Sequence, residues 1–212
     1  MLELNGFYNM DCMEGMKQFP DKYFELAIVD PPYGIETRGH AQDRFRMGMQ
    51  LNTANDMKPN EKYFEELFRI SKNQIVWGYN HLSNMLPSCR EFIFWYKHQP
   101  VITFSDGELA WTSFQKTAKC FDYPYFGGVN ADKPKIHPTQ KPVALYEWLL
   151  QHYAKPGDKI LDTHVGSASS LIACYEMGFD YIGFELDPDY FKAASERLDA
   201  AKAQQSLFRQ GA

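Results

Sequence analysis

An α/β fold with a mostly parallel sheet and helices on both faces is the architecture that the sequence predicts. Apolar runs typical of buried strands recur along the 212 residues, and stretches of helical period lie between several of them. Strands that alternate with helices favour crossover connections and parallel neighbours. The length suits one well-buried domain, so we expect a single domain over residues 1–212.

Seven apolar runs are the predicted strands, and four stretches between them are the predicted helices. The last helix follows Asp187, a good N-cap, and the third ends on Gly178, which suits a helix stop. The strands are FYNM (7–10), LAIVD (26–30), QIVWGY (74–79), FIFWYK (92–97), ELAWTSF (108–114), KILD (159–162) and YIGFE (181–185), and the helices are 61–72, 142–154, 169–178 and 188–205.

Composition narrows the class of protein. The hydrophobic fraction of 44% and the charged fraction of 23% are ordinary for a globular domain. No apolar run approaches the ~20 residues of a membrane helix, and the N-terminus lacks the pattern of a signal peptide. The four cysteines show no CxxC spacing and the histidines no metal spacing. We therefore expect a cytoplasmic protein with reduced thiols, no metal and no membrane contact.

The run LAIVD ends in an unusual way. The run ends on Asp30, and Pro31, Pro32 and Tyr33 come next. Charged, rigid and aromatic residues therefore occur within four positions. Proline fixes φ, so the carbonyls of this turn have a set direction. A rigid turn before a loop is the plain interpretation. A ligand site at the carboxyl end of a strand is the sharper one.

A second segment, 159–190, has the features of a nucleotide site. The strand KILD ends at Asp162, and Gly166, Ser167 and Ala168 let the backbone approach a ligand closely. Glu185 ends the next strand, where a carboxylate can accept both hydroxyls of a ribose. Neither GxGxxG nor a P-loop is present. Taken alone, this segment could equally be an ordinary βαβ unit with a capped helix.

Together the two segments resemble the S-adenosylmethionine-dependent amino-methyltransferases of DNA. Asp30–Tyr33 matches motif IV, 162–168 resembles motif I, and HPTQKP (137–142) resembles the start of motif X. Motif IV precedes motif I, which is the permuted order of the beta class. The resemblance implies a Rossmann-like class I methyltransferase fold with a circularly permuted, seven-stranded sheet. His164 and Ala168 depart from the motif I pattern of an aromatic residue and a final glycine.

The resemblance also implies roles for individual residues. Asp30 and the Pro31 carbonyl would accept the two hydrogens of an exocyclic amine, Pro32 would keep the turn rigid, and Tyr33 would stack on the base. S-adenosylmethionine would be the cofactor. The residues expected to hold it are Asp11, Cys12, Thr139, Gln140, Lys141, Asp162, His164, Gly166, Ser167, Ala168, Glu185 and Asp187.

Contact with DNA is expected from two segments with no clear period, 34–60 and 115–136, which are candidate target-recognition loops. Net charge is −5, which weakly disfavours a polyanion, but residues 86–141 hold seven Lys or Arg against five Asp or Glu. A solvated face is the plain interpretation of these charges. The candidate DNA contacts are Arg38, Arg44, Arg46, Lys133 and Lys135.

The function that these patterns favour is methylation of adenine N6 in double-stranded DNA, on a base flipped out of the helix. DPPY is more usual for adenine N6 and SPPY for cytosine N4. Cytosine-N4 methylation, RNA adenine methylation and a catalytically silent DNA-binding homologue remain alternatives. An orphan or phage-related enzyme is expected, and a homodimer is left open because dimers are common in the class.

Overall fold

The computed structural model describes residues 1–34, 57–101, 105–126 and 128–210, with only the helical backbone described for 206–210. Most of the predicted loop 34–60 therefore lies outside the described residues. So do three of the candidate DNA contacts, Arg38, Arg44 and Arg46.

Eight strands in the described part of the chain form one sheet, in the order β1-β8-β7-β2-β3-β5-β4-β6. Strand β5 runs antiparallel to both of its neighbours, and every other pair is parallel. The strands are β1 (Gly6–Asn9), β2 (Phe24–Val29), β3 (Ser71–Trp77), β4 (Phe92–Tyr96), β5 (Gly107–Thr112), β6 (Lys119–Asp122), β7 (Lys159–Asp162) and β8 (Asp180–Glu185).

The predicted mostly parallel sheet is confirmed, but the predicted count of seven strands is wrong. The additional strand, β6, lies inside the predicted loop 115–136, so that segment is not wholly a loop. Strand β6 has four residues, of which only Phe121 is buried, and it pairs with β4 at the edge of the sheet. Such a short segment leaves too little alternation in the sequence to reveal a strand.

The described helices are α1 (Cys12–Met16), α2 (Glu61–Ile70), α3 (Tyr79–Leu82), α4 (Val143–Tyr153), α5 (Ser169–Met177) and α6 (Pro188–Gln210). The four predicted helices are present as α2, α4, α5 and α6. Helix α2 stops two residues early because Ser71 already begins β3. None of the helices in the described ranges has both the length and the apolar character needed to cross a membrane.

Alternate side chains of each central strand enter two separate cores. Leu26 and Ile28 of β2 pack in the core that contains the buried leucines of α4 and α5. Ala27 and Val29 pack in the other core, with the buried face of α2. Helices on both faces explain why the central strands are continuous apolar runs and not alternating ones.

The order of the strands brings three acidic residues together at the carboxyl ends of neighbouring strands, which form one edge of the sheet. Strands β8, β7 and β2 are parallel neighbours. Glu185 and Asp162 end the first two, and Asp30 directly follows the third. The chain moves outward from β7 towards β8 and from β2 towards β3, so a topological switch point lies between β7 and β2. Ligands of open α/β sheets bind at such points.

Candidate active site

Asp30 occupies the carboxyl end of β2, where two donors hold its side chain. One carboxylate oxygen accepts a hydrogen bond from the Tyr33 hydroxyl, and the other accepts one from the Lys141 ammonium. The Asp30 side chain is 17% exposed and that of Lys141 is 4% exposed. Each carboxylate oxygen has two lone pairs, so Asp30 can still accept hydrogen bonds from a ligand.

Two contacts hold the Tyr33 side chain: the hydrogen bond of its hydroxyl to Asp30 and the packing of its ring on a neighbouring imidazole. The ring stacks on His81, with centroids 5.1 Å apart and planes 18° from parallel. The ring also packs against Gly78, where an added Cβ would be 2.0 Å from a ring carbon. Burial, followed by the charge of Asp30, raises the pKa of Tyr33 well above its usual value. Tyr33 is therefore a fixed, neutral donor to Asp30.

The Asp162 side chain points towards the loop and helix that directly follow it. Its side chain accepts a hydrogen bond from the His164 amide (3.0 Å) and another from the Ser170 hydroxyl. Burial raises the pKa of Asp162 to about 7, although both hydrogen bonds lower it. Asp162 therefore shapes the motif I turn from within.

The motif I turn contains two residues in the left-handed region. Gly166 has φ 56° and Ala168 has φ 63°, directly before α5. This conformation costs a residue with a Cβ roughly 1–2 kcal/mol, and Ala168 adopts it while fully buried. The turn thus keeps the backbone shape that glycine normally provides, despite the departure at residue 168.

Glu185 connects this turn to the end of β8. Its two carboxylate oxygens accept hydrogen bonds from the amides of Gly166 and Asp187, both at 2.9 Å. Burial raises the pKa of Glu185, whereas the two amides lower it. The carboxylate is thereby aimed at the cleft described next, and its second lone pairs stay available.

A cleft of about 240 Å³ lies at this edge of the sheet. It joins five separate parts of the chain: the start of α1, the DPPY turn, the segment that leads into α2, motif I and the end of β8. Its lining residues are Met10, Asp11, Cys12, Met13, Pro32, Met57, Lys58, Pro59, Asn60, Tyr63, Thr163, His164, Glu185 and Leu186. Apolar side chains form much of the wall, and the Glu185 carboxylate lies among them. That combination fits a nucleoside, which has a flat ring and vicinal hydroxyls.

His164 forms part of the cleft wall. Its Nδ1 is 2.9 Å from the Thr163 hydroxyl, and its ring meets Tyr63 edge to face, with centroids 5.4 Å apart. Burial lowers the pKa of His164 to about 4, so the ring is neutral near pH 7. A neutral imidazole is a flat wall residue, much like the aromatic residue of the family pattern.

Tyr63 and Thr163 belong to the site although the sequence patterns did not single them out. The Tyr63 hydroxyl is 2.6 Å from Thr163 Oγ1, which joins α2 to motif I. In the sequence, Tyr63 is one more apolar residue of an amphipathic helix. Only the position of α2 over the end of β7 makes it part of the cleft.

Several residues predicted to hold the cofactor are not among those that line this cleft. Lys141 contacts Asp30 and not the cleft, Gln140 bonds the backbone at Ile136 and Asp132, and Thr139 is exposed. Asp187 accepts hydrogen bonds from the amides of residues 189 and 190 and so caps α6. Ser167 is buried, with its hydroxyl 3.1 Å from that of Ser169.

The two candidate DNA contacts that the structure describes, Lys133 and Lys135, are exposed. Within the described ranges, no three His, Cys, Asp or Glu side chains are grouped as metal ligands.

Replacing Gly78 with alanine tests how tightly Tyr33 is held. Gly78 has φ 77°, so Gly78→Ala pays the backbone term of roughly 1–2 kcal/mol and a further ~1–3 kcal/mol for displacing Tyr33. Gly157→Ala is the matched control, because Gly157 has φ 88° and open space around it. Urea denaturation measures both free energies of unfolding. If Gly78→Ala and Gly157→Ala lose equal free energies of unfolding, this packing is contradicted. It is also contradicted if the larger loss in Gly78→Ala persists unchanged when Tyr33 is replaced by alanine.

The raised pKa of Asp162 predicts a pH dependence of stability. Between about pH 4 and pH 7 the folded protein keeps the proton that the unfolded chain releases, so stability from this group is lost as pH rises through that window. Relative to Asp162→Asn, wild type should lose about 2–4 kcal/mol from pH 4 to pH 7 and then level off. Denaturant titrations across that range measure the difference. A difference that stays constant with pH would refute the assignment.

Comparison with known proteins gives the family. The family model described as DNA methylase (N6_N4_Mtase) matches residues 55–196. The chain is 23% identical over 229 residues to the type II methyltransferase M.HpaI of Haemophilus parainfluenzae, covering 90% of this chain and 73% of that protein.

Two solved structures share the fold. The M1.HpyAVI–SAM complex has a TM-score of 0.62 at 20% identity, covering 91% of this chain and 98% of its own. The cytosine-N4-specific PvuII DNA methyltransferase has a TM-score of 0.60 at 14% identity, covering 92% and 90%. The predicted methyltransferase fold is confirmed, and, because the family model spans more than half of its length, the chain belongs to the N6/N4 DNA methylase family.

Proposed function

We propose that this protein transfers a methyl group from S-adenosylmethionine to N6 of an adenine in double-stranded DNA. The observation that carries the proposal is the Asp30 carboxylate at the end of β2, oriented by Tyr33 and Lys141, in the turn whose Pro32 lines the nucleoside-shaped cleft. The sharing of one edge by the DPPY turn and motif I supports transfer between two ligands bound side by side.

The target amine needs help to react. Its lone pair is delocalised into the base, and attack requires the nitrogen to become tetrahedral. Asp30 would accept one N–H and the Pro31 carbonyl the other, which favours that change electrostatically. The prolines hold this carbonyl in place, so little order is lost on binding. The amine proton released by the reaction leaves through Asp30.

Tyr33 would bind the base by stacking. Its ring packs on His81, and this contact would hold the ring in place for stacking on a base. Its hydroxyl donates to Asp30, so the stacking surface and the acceptor are held in a fixed relation. A base stacked on this ring would have its amine near the carboxylate.

S-adenosylmethionine is the family's cofactor, and the cleft has the residues to hold it. Bound there, it would supply a methyl group on a positively charged sulfur, which keeps the bonding electrons when the amine takes the methyl. Glu185 would bind the ribose hydroxyls, and Asp11 and Cys12 would lie beside the adenine. Burial raises the pKa of Cys12 to about 12, so its thiol acts as a neutral contact.

Adenine is preferred to cytosine on the identity of the first motif IV residue. Both bases present an exocyclic amine beside a ring nitrogen, so Asp30 would serve either. The likeness to a cytosine-N4-specific enzyme keeps cytosine as the second candidate. DNA would meet the exposed lysines 133 and 135, with Arg38, Arg44 and Arg46 as further candidates.

Transfer of radiolabelled methyl from the cofactor to unmodified genomic DNA tests this function. We expect label in DNA, recovered after nuclease digestion as N6-methyldeoxyadenosine. Asp30→Ala should lower the rate by about 10²–10³-fold, because it removes the acceptor for the amine. Recovery of N4-methyldeoxycytidine would refute the choice of base, label only in RNA would refute the choice of nucleic acid, and DNA binding without label would indicate a silent homologue.

A flipped target base is a second expectation, because a base inside a duplex cannot reach a carboxylate at the end of a buried strand. A duplex with 2-aminopurine at the modified position should become brighter when the protein binds, as the base leaves the stack. Tyr33→Ala should reduce this signal, since it removes the stacking surface. Unchanged fluorescence while the normal duplex is methylated would argue against flipping.

A further inference from the structure

Two lysines and one glutamate extend the charge network that begins at Asp30. The Lys141 ammonium bonds Asp30 and also lies 3.1 Å from Glu108 Oε2. Glu108 is in turn ion-paired with Lys97. The chain of charges therefore runs Asp30, Lys141, Glu108, Lys97, with opposite signs at each step.

Lys141 is held charged in a nearly inaccessible position. Burial lowers the pKa of Lys141, but Asp30 and Glu108 outweigh it and raise the pKa above its ordinary value. Burial likewise works to raise the pKa of Glu108, while Lys141 and Lys97 lower it to about 2. Lys141 also lies 5.5 Å from the centre of the Trp77 ring, which supports a cation.

Glu108 can accept a further hydrogen bond at the carboxylate oxygen that faces Lys141. In the described part of the chain, no donor is aligned for a hydrogen bond with Glu108 Oε2, although this oxygen is buried. The Lys141 ammonium lies 3.1 Å from this oxygen and donates to Asp30, and its three N–H groups allow it to bond both carboxylates. A small rotation of the ammonium would complete the bond to Glu108.

We propose that Lys141 is a positioning residue for Asp30, and that Glu108 takes up its ammonium when the target amine binds. The proposal deepens the proposed function, because it rests on Asp30 as the acceptor for the amine. An amine that donates to Asp30 gains positive charge during methyl transfer and is repelled by a neighbouring ammonium. Glu108 gives that ammonium a second partner, so Asp30 is oriented before binding and released for the amine afterwards.

Lys141→Met removes the charge and keeps much of the side-chain volume. We expect kcat to fall by about 100-fold, the size typical of losing one oriented electrostatic partner, with the cofactor Kd within about threefold of wild type. Lys141→Arg should recover part of kcat. Glu108→Gln should lower kcat with little change in cofactor Kd, because Lys141 then stays on Asp30. Methyl transfer into total DNA and equilibrium binding of S-adenosylmethionine are the two measurements.

The chain contains a matched control at the opposite edge of the sheet. Glu25 is paired with Lys72 (2.8 Å) and Lys159 (3.1 Å), and its pKa is lowered to about 2, as in Glu108. Glu25 and Lys159 lie at the starts of parallel strands, away from Asp30. Glu25→Gln and Lys159→Met should leave kcat within about twofold of wild type.

The two measurements separate the outcomes. A cofactor Kd that weakens as much as kcat falls would overturn the proposal, because Lys141 would then bind the cofactor. Unchanged kcat in Lys141→Met, or equal losses in the Lys159→Met control, would overturn it too. A wild type that labels cytosine refutes only the base assignment. If wild type labels no DNA at all, the proposed function fails, but thermal unfolding still tests the charge network. The double variant Lys141→Met/Glu108→Gln should be more stable than Lys141→Met alone. A less stable double variant would refute the coupling between Lys141 and Glu108.

Discussion

The parallel pairing of β2 with β7 is the contact on which the site depends. Leu26 lies beside Ile160 and Ala27 beside Leu161, although more than 130 residues separate them in the chain. This register brings the DPPY turn next to motif I. Strands of one direction end at one edge, so the acidic residues that end them share a single surface. Slipping this pair by one residue would turn the buried side chains to the wrong faces and separate the two motifs.

Much of the fold could be predicted from the sequence because its signals are local. Buried strands such as LAIVD and KILD are continuous apolar runs, and the helices between the strands have clear ends. Gly178 ends α5 and Asp187 caps the start of α6, as the sequence predicts. The edge strand β6 escaped prediction because one buried side chain, Phe121, makes no pattern. Boundaries also shifted where α2 passes directly into β3 without a loop.

The site was predictable only in part, because side-chain partners are not local. Asp30, Glu185 and the motif I turn stand at strand ends, which a sequence can reveal. The partner of Lys141 cannot be found that way, since 111 residues separate it from Asp30. A lysine before a helix suggests an anion, but only the three-dimensional arrangement shows that Lys141 contacts the protein's own Asp30 carboxylate.

The cleft is assembled from segments that are far apart in the chain. Strand β1 pairs with β8, and Phe7 packs on Phe191 of α6 with ring centroids 4.6 Å apart. During synthesis the DPPY turn is therefore made before the part of the wall that comes from residues 163, 164, 185 and 186. Until β7 and β8 emerge, β1 lacks its partner strand and one side of the largely buried strand β2 is unpaired. The DPPY turn thus exists in the growing chain before the strands beside it are paired, and until then the open edge of β2 can pair with other chains.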